Sequence, residues 1–352
     1  MDTNGERLRF AVVGCGAHAQ VHARTLDAHP GVTLVACCDP DEARARDFAA
    51  AHRCTAHASL DDLLALERLD AVVLCTWPTL HLEQLRACLA AGVRNVLCEK
   101  ALTTSGAAAL EILALAGASG ALVVEGYMYR HHPAIRRMEE LAFASGLGPV
   151  DHVRAAFSNY EPEAHADVLQ GQDWRYRKEC GGGVLHDWFA YCVNGAQHFA
   201  RSLPRRVFAS GGVNEAYGVV DRIYAQIEYR NGVAGFLESS KHASFTQTLQ
   251  VSCAGAILRL PVAWGIYGEV AIEQLRRKPE WDYVVASAER IPAADAFALQ
   301  LDDFVAAARG RARPLVSLEE SVADAITVDA LEQSLREGRA VEPDFSALEA
   351  RP

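Results

Sequence analysis

In "GGGVLHDWFAYCVNG", residues 181–195, Asp187 and Tyr191 stand four positions apart. That is about one turn of a helix, so a carboxylate and a phenol share one face. Asn194 continues that face, while Leu185, Trp188, Phe189, Cys192 and Val193 form an apolar stripe on the other side. A phenol can exchange a proton with a substrate hydroxyl, but its free pKa near ~10 makes it a poor base at neutral pH. An ammonium within ~4–6 Å favours the phenolate. Lys100, which closes the apolar run "NVLCEK", offers such a charge. Taken alone, the stretch also fits an ordinary helix start, with Asp187 at the dipole and Tyr191 half-buried.

A second chemistry stands near the start of the chain. Gly14, Gly16 and Ala19 in "GCGAHA" form G-x-G-x-x-A after an apolar run and before a helical pattern, with Ala17 and His18 opening the predicted helix. The first glycine suits a tight turn and the second a close approach of backbone to a pyrophosphate. The helix N-terminus adds free N–H groups. Asp39 follows the next apolar run, 25 residues after Gly14. A carboxylate there accepts from ribose hydroxyls and repels a 2′-phosphate, which favours NAD over NADP. The same residue also suits a turn with Pro40. Arg44 is expected to lie too far along the next helix to clamp a phosphate.

The elements that must position these groups come from periodicity. "LRFAVVGCG", "GVTLVACCDP", "DAVVLCTWP", "RNVLCEK" and "GALVVEG" read as buried strands. Helical patterns fall at about 17–28, 41–51, 60–67, 79–91 and 104–117. Apolar strands alternating with helices predict a doubly wound parallel sheet, whose ligands bind at the C-terminal strand ends. Thr76, Trp77, Pro78 and His81 follow one such end, Glu99 and Lys100 another, and Glu125 and Gly126 a third. From about residue 148 the pattern alternates polar and apolar, as in "DRIYAQIEYR" and "VAGFLESSKHA", which predicts an open, mostly antiparallel sheet. The expected division is a Rossmann domain over 1–126 and an α+β domain for substrate binding and dimerisation over 127–352. The closing helices, about 295–337, are able to pack back on the first domain.

The 352 residues carry a formal net charge of −11, against a nucleic-acid partner. No apolar stretch approaches the ~18 residues of a membrane span. The ten cysteines include no C-x-x-C, so neither a zinc site nor a disulfide framework is expected, and a reduced, cytoplasmic setting is. "NYEPEAHADVLQGQDW" carries Glu161, Glu163, Asp167 and Asp173. These form either a solvated acidic loop or a surface that attracts an amino sugar or aminocyclitol.

Together these motifs resemble the glucose–fructose oxidoreductase, inositol dehydrogenase and MocA family over nearly the whole chain. The resemblance lies in "GCGAHAQVH" ending at His22, "CTWPTLH", "EKA" where the family has EKP, the pair Trp174–Arg175, and "GGGVLHDWFAY". The tyrosine followed by "CVN", and "GYMYRHHP" with Tyr129 and Arg130, are similar to the branch with glucose–fructose oxidoreductase, dihydrodiol and xylose dehydrogenases. The resemblance implies an NAD-dependent oxidoreductase that interconverts a secondary alcohol and a ketone on a sugar, amino sugar or cyclitol. Lys100, Asp187 and Tyr191 are then catalytic. Gly14, Gly16, Ala17, His18, Asp39, Thr76, Trp77, Pro78, His81, Glu99 and Lys100 hold the dinucleotide. Tyr129, Arg130, Trp174, Arg175 and His186 face the substrate, with His186 alternatively a core histidine. Lys100 and Tyr191 are expected to converge on one carbinol, with Asp187 orienting the substrate and balancing Lys100. The glycines before Asp187 are expected to let the backbone pass close to the ligand. Ala101 replaces the family's proline, and a Lys–Ala bond is expected to be trans. Relatives also include glycosidases that oxidise transiently with tightly held NAD, and a non-enzymatic sugar sensor; retention of Lys100 and Tyr191 speaks against the sensor. A homodimer or homotetramer is expected.

Overall fold

The computed structural model describes residues 7–144, 146–161, 173–277 and 283–350. Two compact units divide it. The first runs to Thr103 and takes in Ala107–Met128 and Phe297–Ser321; the second comprises Thr104–Gly106, Tyr129–Ala296 and the chain from Val322.

The first unit holds a six-stranded sheet ordered β3-β2-β1-β4-β5-β6. Its strands are β1 (Leu8–Val13), β2 (Val32–Cys38), β3 (Thr55–His57), β4 (Ala71–Leu74), β5 (Asn95–Glu99) and β6 (Leu122–Gly126). Every pairing is parallel. Helices α1 (Ala17–Ala28), α2 (Glu42–His52), α3 (Leu60–Leu66), α4 (His81–Ala90) and α5 (Gly106–Ser119) fall close to the predicted patterns. The three-residue β3 is too short to leave an apolar run. Central strands are buried on both faces, which is why they read as unbroken apolar segments. Phe10, Val12, Ala19, Ala23 and Leu26 pack with Leu301 and Phe304 of the helix Ala296–Ala308, the Phe10 and Phe304 rings meeting edge-on at 6.0 Å.

The register decides which strand ends lie side by side. Val13 pairs with Cys38 and with Leu74, Leu74 with Cys98, and Cys98 with Glu125. The turns carrying Gly14, Asp39, Thr76, Lys100 and Gly126 therefore emerge along one edge of the sheet, where a doubly wound fold binds its ligand.

The second unit holds an eight-stranded sheet ordered β14-β13-β12-β11-β7-β10-β9-β8. β7 (Val150–Ala156) pairs in parallel with β10 (Ala234–Ser240), and the other pairings are antiparallel. The remaining strands are β8 (Pro204–Asn214), β9 (Val219–Tyr229), β11 (Leu249–Cys253), β12 (Ile257–Leu260), β13 (Val270–Arg277) and the edge strand β14 (Tyr283–Ile291). β14 has no distinctive apolar run in the sequence that predicts it. The helix Trp188–Ala200 packs on this sheet over β7 and β10. The architecture is thus a parallel Rossmann sheet followed by a mixed, mostly antiparallel one. Among the described residues, no helix is long and apolar enough to cross a membrane.

Candidate active site

In the first unit the turn after β1 has the shape a dinucleotide requires. Gly14 has φ +84°, and a Cβ there would meet the Cys75 carbonyl oxygen and Thr76 Cγ2 at 3.0 Å. Only glycine passes without moving the adjacent β4 turn. Gly16 caps α1, and a Cβ placed on it meets nothing within 4 Å. Gly16, Ala17 and His18 are exposed while Ala19 is fully buried, so the helix N-terminus opens onto free space. This geometry fits a pyrophosphate.

Asp39 is 4% exposed. One carboxylate oxygen accepts from the Cys15 N–H at 2.9 Å and the other from the Asp41 N–H at 2.9 Å. Arg44 corrects an expectation: its guanidinium reaches back over the first turn of α2 to 3.3 Å from Asp39 and 3.2 Å from Asp41. The long side chain spans what the backbone spacing does not.

The remaining strand-end residues fall into two kinds. Trp77 is 37% exposed, and Pro78 beneath it is buried. Thr76 donates its hydroxyl to Gln84 at 2.5 Å. His81 is fully buried; its Nδ1 lies 3.1 Å from the carbonyl oxygens of Ala101 and Leu102, and its Nε2 lies 3.2 Å from that of Thr76. Burial holds this ring below the usual histidine range. His81 thus sits between the backbones of two turns, and its single ring N–H donates to one of them. Glu99 bonds His22 at 2.7 Å and accepts from the Lys100 N–H at 3.2 Å. Burial pushes its carboxyl up, but His22, with His18 and Lys100 beyond, outweighs that and holds it at about 2. Lys100 is 9% exposed, and the Lys100–Ala101 peptide is cis, not the expected trans form.

In the second unit Asp187 caps the helix Trp188–Ala200, and Tyr191 lies one turn along it. The helix is not amphipathic in place. Tyr191 is 5% exposed and Asn194 0%, so the polar face is buried as fully as the apolar one. The Tyr191 ring rests among those of Phe157, Tyr129 and Trp264, with centroids 5.7, 5.8 and 6.1 Å away. The Trp264 indole N–H is anchored on the Ala156 carbonyl at 2.8 Å. Tyr129 and Arg130, expected at the substrate, are 1% and 3% exposed, and both donate to Asn194 Oδ1. Asn194 in turn donates to Asp324 at 2.7 Å, and Gln197 to the same carboxylate at 3.0 Å. These residues form a satisfied polar network behind the helix, which rigidifies its placement.

The glycine run meets protein backbone. A Cβ on Gly182 would strike the carbonyl oxygens of Trp174 and Arg175 at 2.7 Å, and one on Gly183, at φ +94°, that of Val220 at 2.6 Å. Gly182 and Gly183 thus make room for neighbouring protein backbone. They seat the Trp174–Tyr176 turn so that Arg175 Nε donates to Asp187 at 2.6 Å, while its Nη1 meets Asp173 at 3.2 Å. Asp187, with Asp173, holds Arg175 firmly charged. The Trp174 ring lies 5.1 Å from that guanidinium. His186 is buried, and burial pushes it down to about 4, so it is a neutral ring beside Asp187.

Two of the four loop acids are already matched. Glu161 accepts from Lys241 at 2.6 Å and from the Tyr176 hydroxyl, and Asp173 pairs with Arg175. Glu163 and Asp167 lie outside the described residues. Lys241 and Trp264 carried no local signal in the sequence. Lys241 is a single cation just past the end of β10, and it sits 4.3 Å from the Tyr176 ring and 4.9 Å from that of Trp188.

Comparison with known proteins agrees with this architecture. Residues 8–127 match the family model described as an oxidoreductase family with an NAD-binding Rossmann fold, and residues 135–259 match the GFO/IDH/MocA C-terminal domain. The chain is 31% identical over 336 residues to D-xylose 1-dehydrogenase (NADP(+)) 2 of Haloferax volcanii, covering 95% of this chain and 98% of that one. KijD10, a 3-ketoreductase from Actinomadura kijaniata solved with NADP and TDP-benzene, superposes with a TM-score of 0.83 at 25% identity, covering 94% of this chain and 98% of that one. GenD2 from gentamicin A biosynthesis, solved with NAD, gives 0.81 at 27% identity over 97% of each chain. The chain belongs to the GFO/IDH/MocA oxidoreductase family and is an NAD(P)-dependent dehydrogenase or reductase acting on CH–OH groups.

Proposed function

We propose that the protein interconverts a secondary alcohol and a ketone on a sugar, amino sugar or cyclitol, with Tyr191 and Lys100 as the proton-transfer pair. The observation that carries this is Tyr191 itself: a phenol held in one orientation by three aromatic rings, one turn from the Asp187–Arg175 ion pair. When bound, the dinucleotide supplies the carbon that accepts or returns the hydride. Gly14, Gly16, Ala17 and His18 hold its phosphates, Asp39 its adenosine ribose, and Thr76, Trp77 and Pro78 its other half, with His81 and Glu99 fixing the turns. Tyr191 takes the hydroxyl proton on oxidation and returns it on reduction. Lys100 favours the phenolate by its charge. Asp187 and Arg175 orient the substrate, and Trp174 and the neutral His186 line its other side. Tyr129 and Arg130 act through Asn194 to hold the helix.

The test is a spectrophotometric screen at 340 nm of free sugars, cyclitols and aminoglycosides with NAD and with NADP. Net formation of reduced cofactor from a free sugar is expected; cleavage of a glycoside without net reduction would point to transient oxidation instead. We expect kcat/KM with NAD to exceed that with NADP by roughly fivefold or more, since one screened like-charge contact with Asp39 is worth about 1 kcal/mol. The contrary reading has its own observation. Arg44 stands 3.3 Å from Asp39, and two of the relatives named above carry NADP in their descriptions. A preference for NADP that Arg44→Ala abolishes would assign Arg44 to the 2′-phosphate.

We further propose that two copies pair through the open face of the eight-stranded sheet. Phe208, Gln226 and Phe236 stand in register across β8, β9 and β10, and Phe208, Tyr224 and Phe236 are 42%, 45% and 39% exposed. Half-exposed aromatics gathered on one sheet face form a surface that association would cover. Light scattering is expected to give at least twice the monomer mass for the native chain and the monomer mass for Phe236→Arg. A native chain that stays monomeric at micromolar concentration rules the pairing out.

A further inference from the structure

The turn that carries Lys100 is held by buried side chains that bond its backbone at several atoms. Glu99 accepts from the Lys100 N–H at 3.2 Å. His81 Nδ1 faces the carbonyl oxygens of Ala101 and Leu102, both at 3.1 Å. Glu125, at the end of β6, accepts from the Leu102 N–H at 2.7 Å through Oε1. Glu125 has no place in the chemistry above, and it is an unusual residue to bury. It is 2% exposed, its Oε2 is enclosed, and the Ser321 and Tyr127 side chains face the carboxyl. Burial pushes its carboxyl up to about 7. An apolar residue would fill the space without that cost, so a carboxyl kept there calls for an explanation beyond packing. The Leu102 N–H supplies one: it would otherwise be a buried donor with nothing to bond.

We propose that Glu125, together with His81, is a positioning residue for Lys100, fixing the backbone of residues 100–102 and through it the place of the ammonium. The proposal rests on the role given to Lys100 above. The register makes it possible, since Cys98 pairs with Glu125 and Glu99 with Gly126, bringing the Glu125 side chain beside the start of the turn. Glu125 touches neither substrate nor cofactor in this scheme. It acts only by holding peptide groups two residues from the lysine, and a displacement of ~1 Å at a reacting group can cost ~10²-fold in rate.

Three variants test it in the full-length enzyme: Glu125→Ala, Glu125→Gln and Lys100→Met, with the double variant Glu125→Ala/Lys100→Met. Glu125→Ala is expected to lower kcat by about 10- to 100-fold while KM for the dinucleotide changes by less than about threefold. Hydrogen exchange at the Leu102 amide is expected to speed up by about tenfold, the equivalent of one hydrogen bond. Glu125→Gln, which keeps an acceptor oxygen, is expected to restore most of the lost turnover and the amide protection. The double variant is expected to lose no more than Lys100→Met alone, because the two act through one group. Full additivity, or a glutamine variant as impaired as the alanine one, overturns the proposal. So does an unchanged Glu125→Ala in an enzyme that Lys100→Met disables. If Lys100→Met itself leaves turnover intact, the role of Lys100 fails and this proposal fails with it. Should Glu125→Ala not fold, Glu125→Asp withdraws the carboxylate by one methylene and is judged by the same outcomes.

Discussion

Replacing Tyr191 by phenylalanine is expected to lower kcat by ~10²–10⁴-fold while leaving the fold and substrate KM nearly unchanged. The ring makes its packing contacts through its carbon faces, against Phe157, Tyr129 and Trp264, and phenylalanine keeps all of them. Only the hydroxyl is lost, and with it the group proposed to take the proton from the substrate. Thermal unfolding within a few degrees of the native chain would show that the platform is intact. Steady-state turnover on the substrate found in the 340 nm screen then reads the chemistry alone. A phenylalanine variant within about threefold of native turnover would falsify the role of Tyr191 as acid–base group.

Lys100→Met is expected to produce the second-largest effect, a loss of about 10²–10³-fold in kcat. Methionine keeps the length of the stem but not the charge. Gly14, Gly16 and Asp39 remain in place, so dinucleotide affinity measured by fluorescence is expected to stay within about tenfold. The pH profile carries the sign. If the ammonium favours phenolate over phenol as proposed, its removal moves the rise of kcat to higher pH, so part of the lost rate should return as pH increases. A uniform loss at every pH, with the midpoint unmoved, would make Lys100 a substrate-holding group rather than the electrostatic partner of Tyr191. The variant also removes one of the charges that lower the Glu99 carboxyl, but the hydrogen bond to His22 remains.

Much of this was legible in the sequence because it is locally encoded. The alternation of apolar runs with 3.6-residue patterns placed the first five helices and the long strands within a few residues of where they stand. Gly14 needs a positive φ, and the fully buried Ala19 needs a small side chain; those requirements belong to a single turn and its neighbouring helix. The four-residue spacing of Asp187 and Tyr191 is a property of one helix. β3, with three residues, and β14, an edge strand, escaped because neither has a distinctive run of its own.

What the tertiary structure decided are the contacts between residues distant in sequence, which depend on strand register and helix packing and on nothing local. Asn194 meets Asp324 across 130 positions, and Leu102 meets Glu125 across 23. No periodicity in either segment announces such a meeting. The same holds for the glycine run, whose neighbour is the backbone of Trp174 and Arg175, and for Asp187, whose carboxylate is met by Arg175. The sequence by itself determined a dinucleotide-binding sheet, a mostly antiparallel partner, and the residue types able to move a proton. Folding decided which buried groups hold those residues still, because a hydrogen bond is specified by the place of two atoms in space and not by their place in the chain.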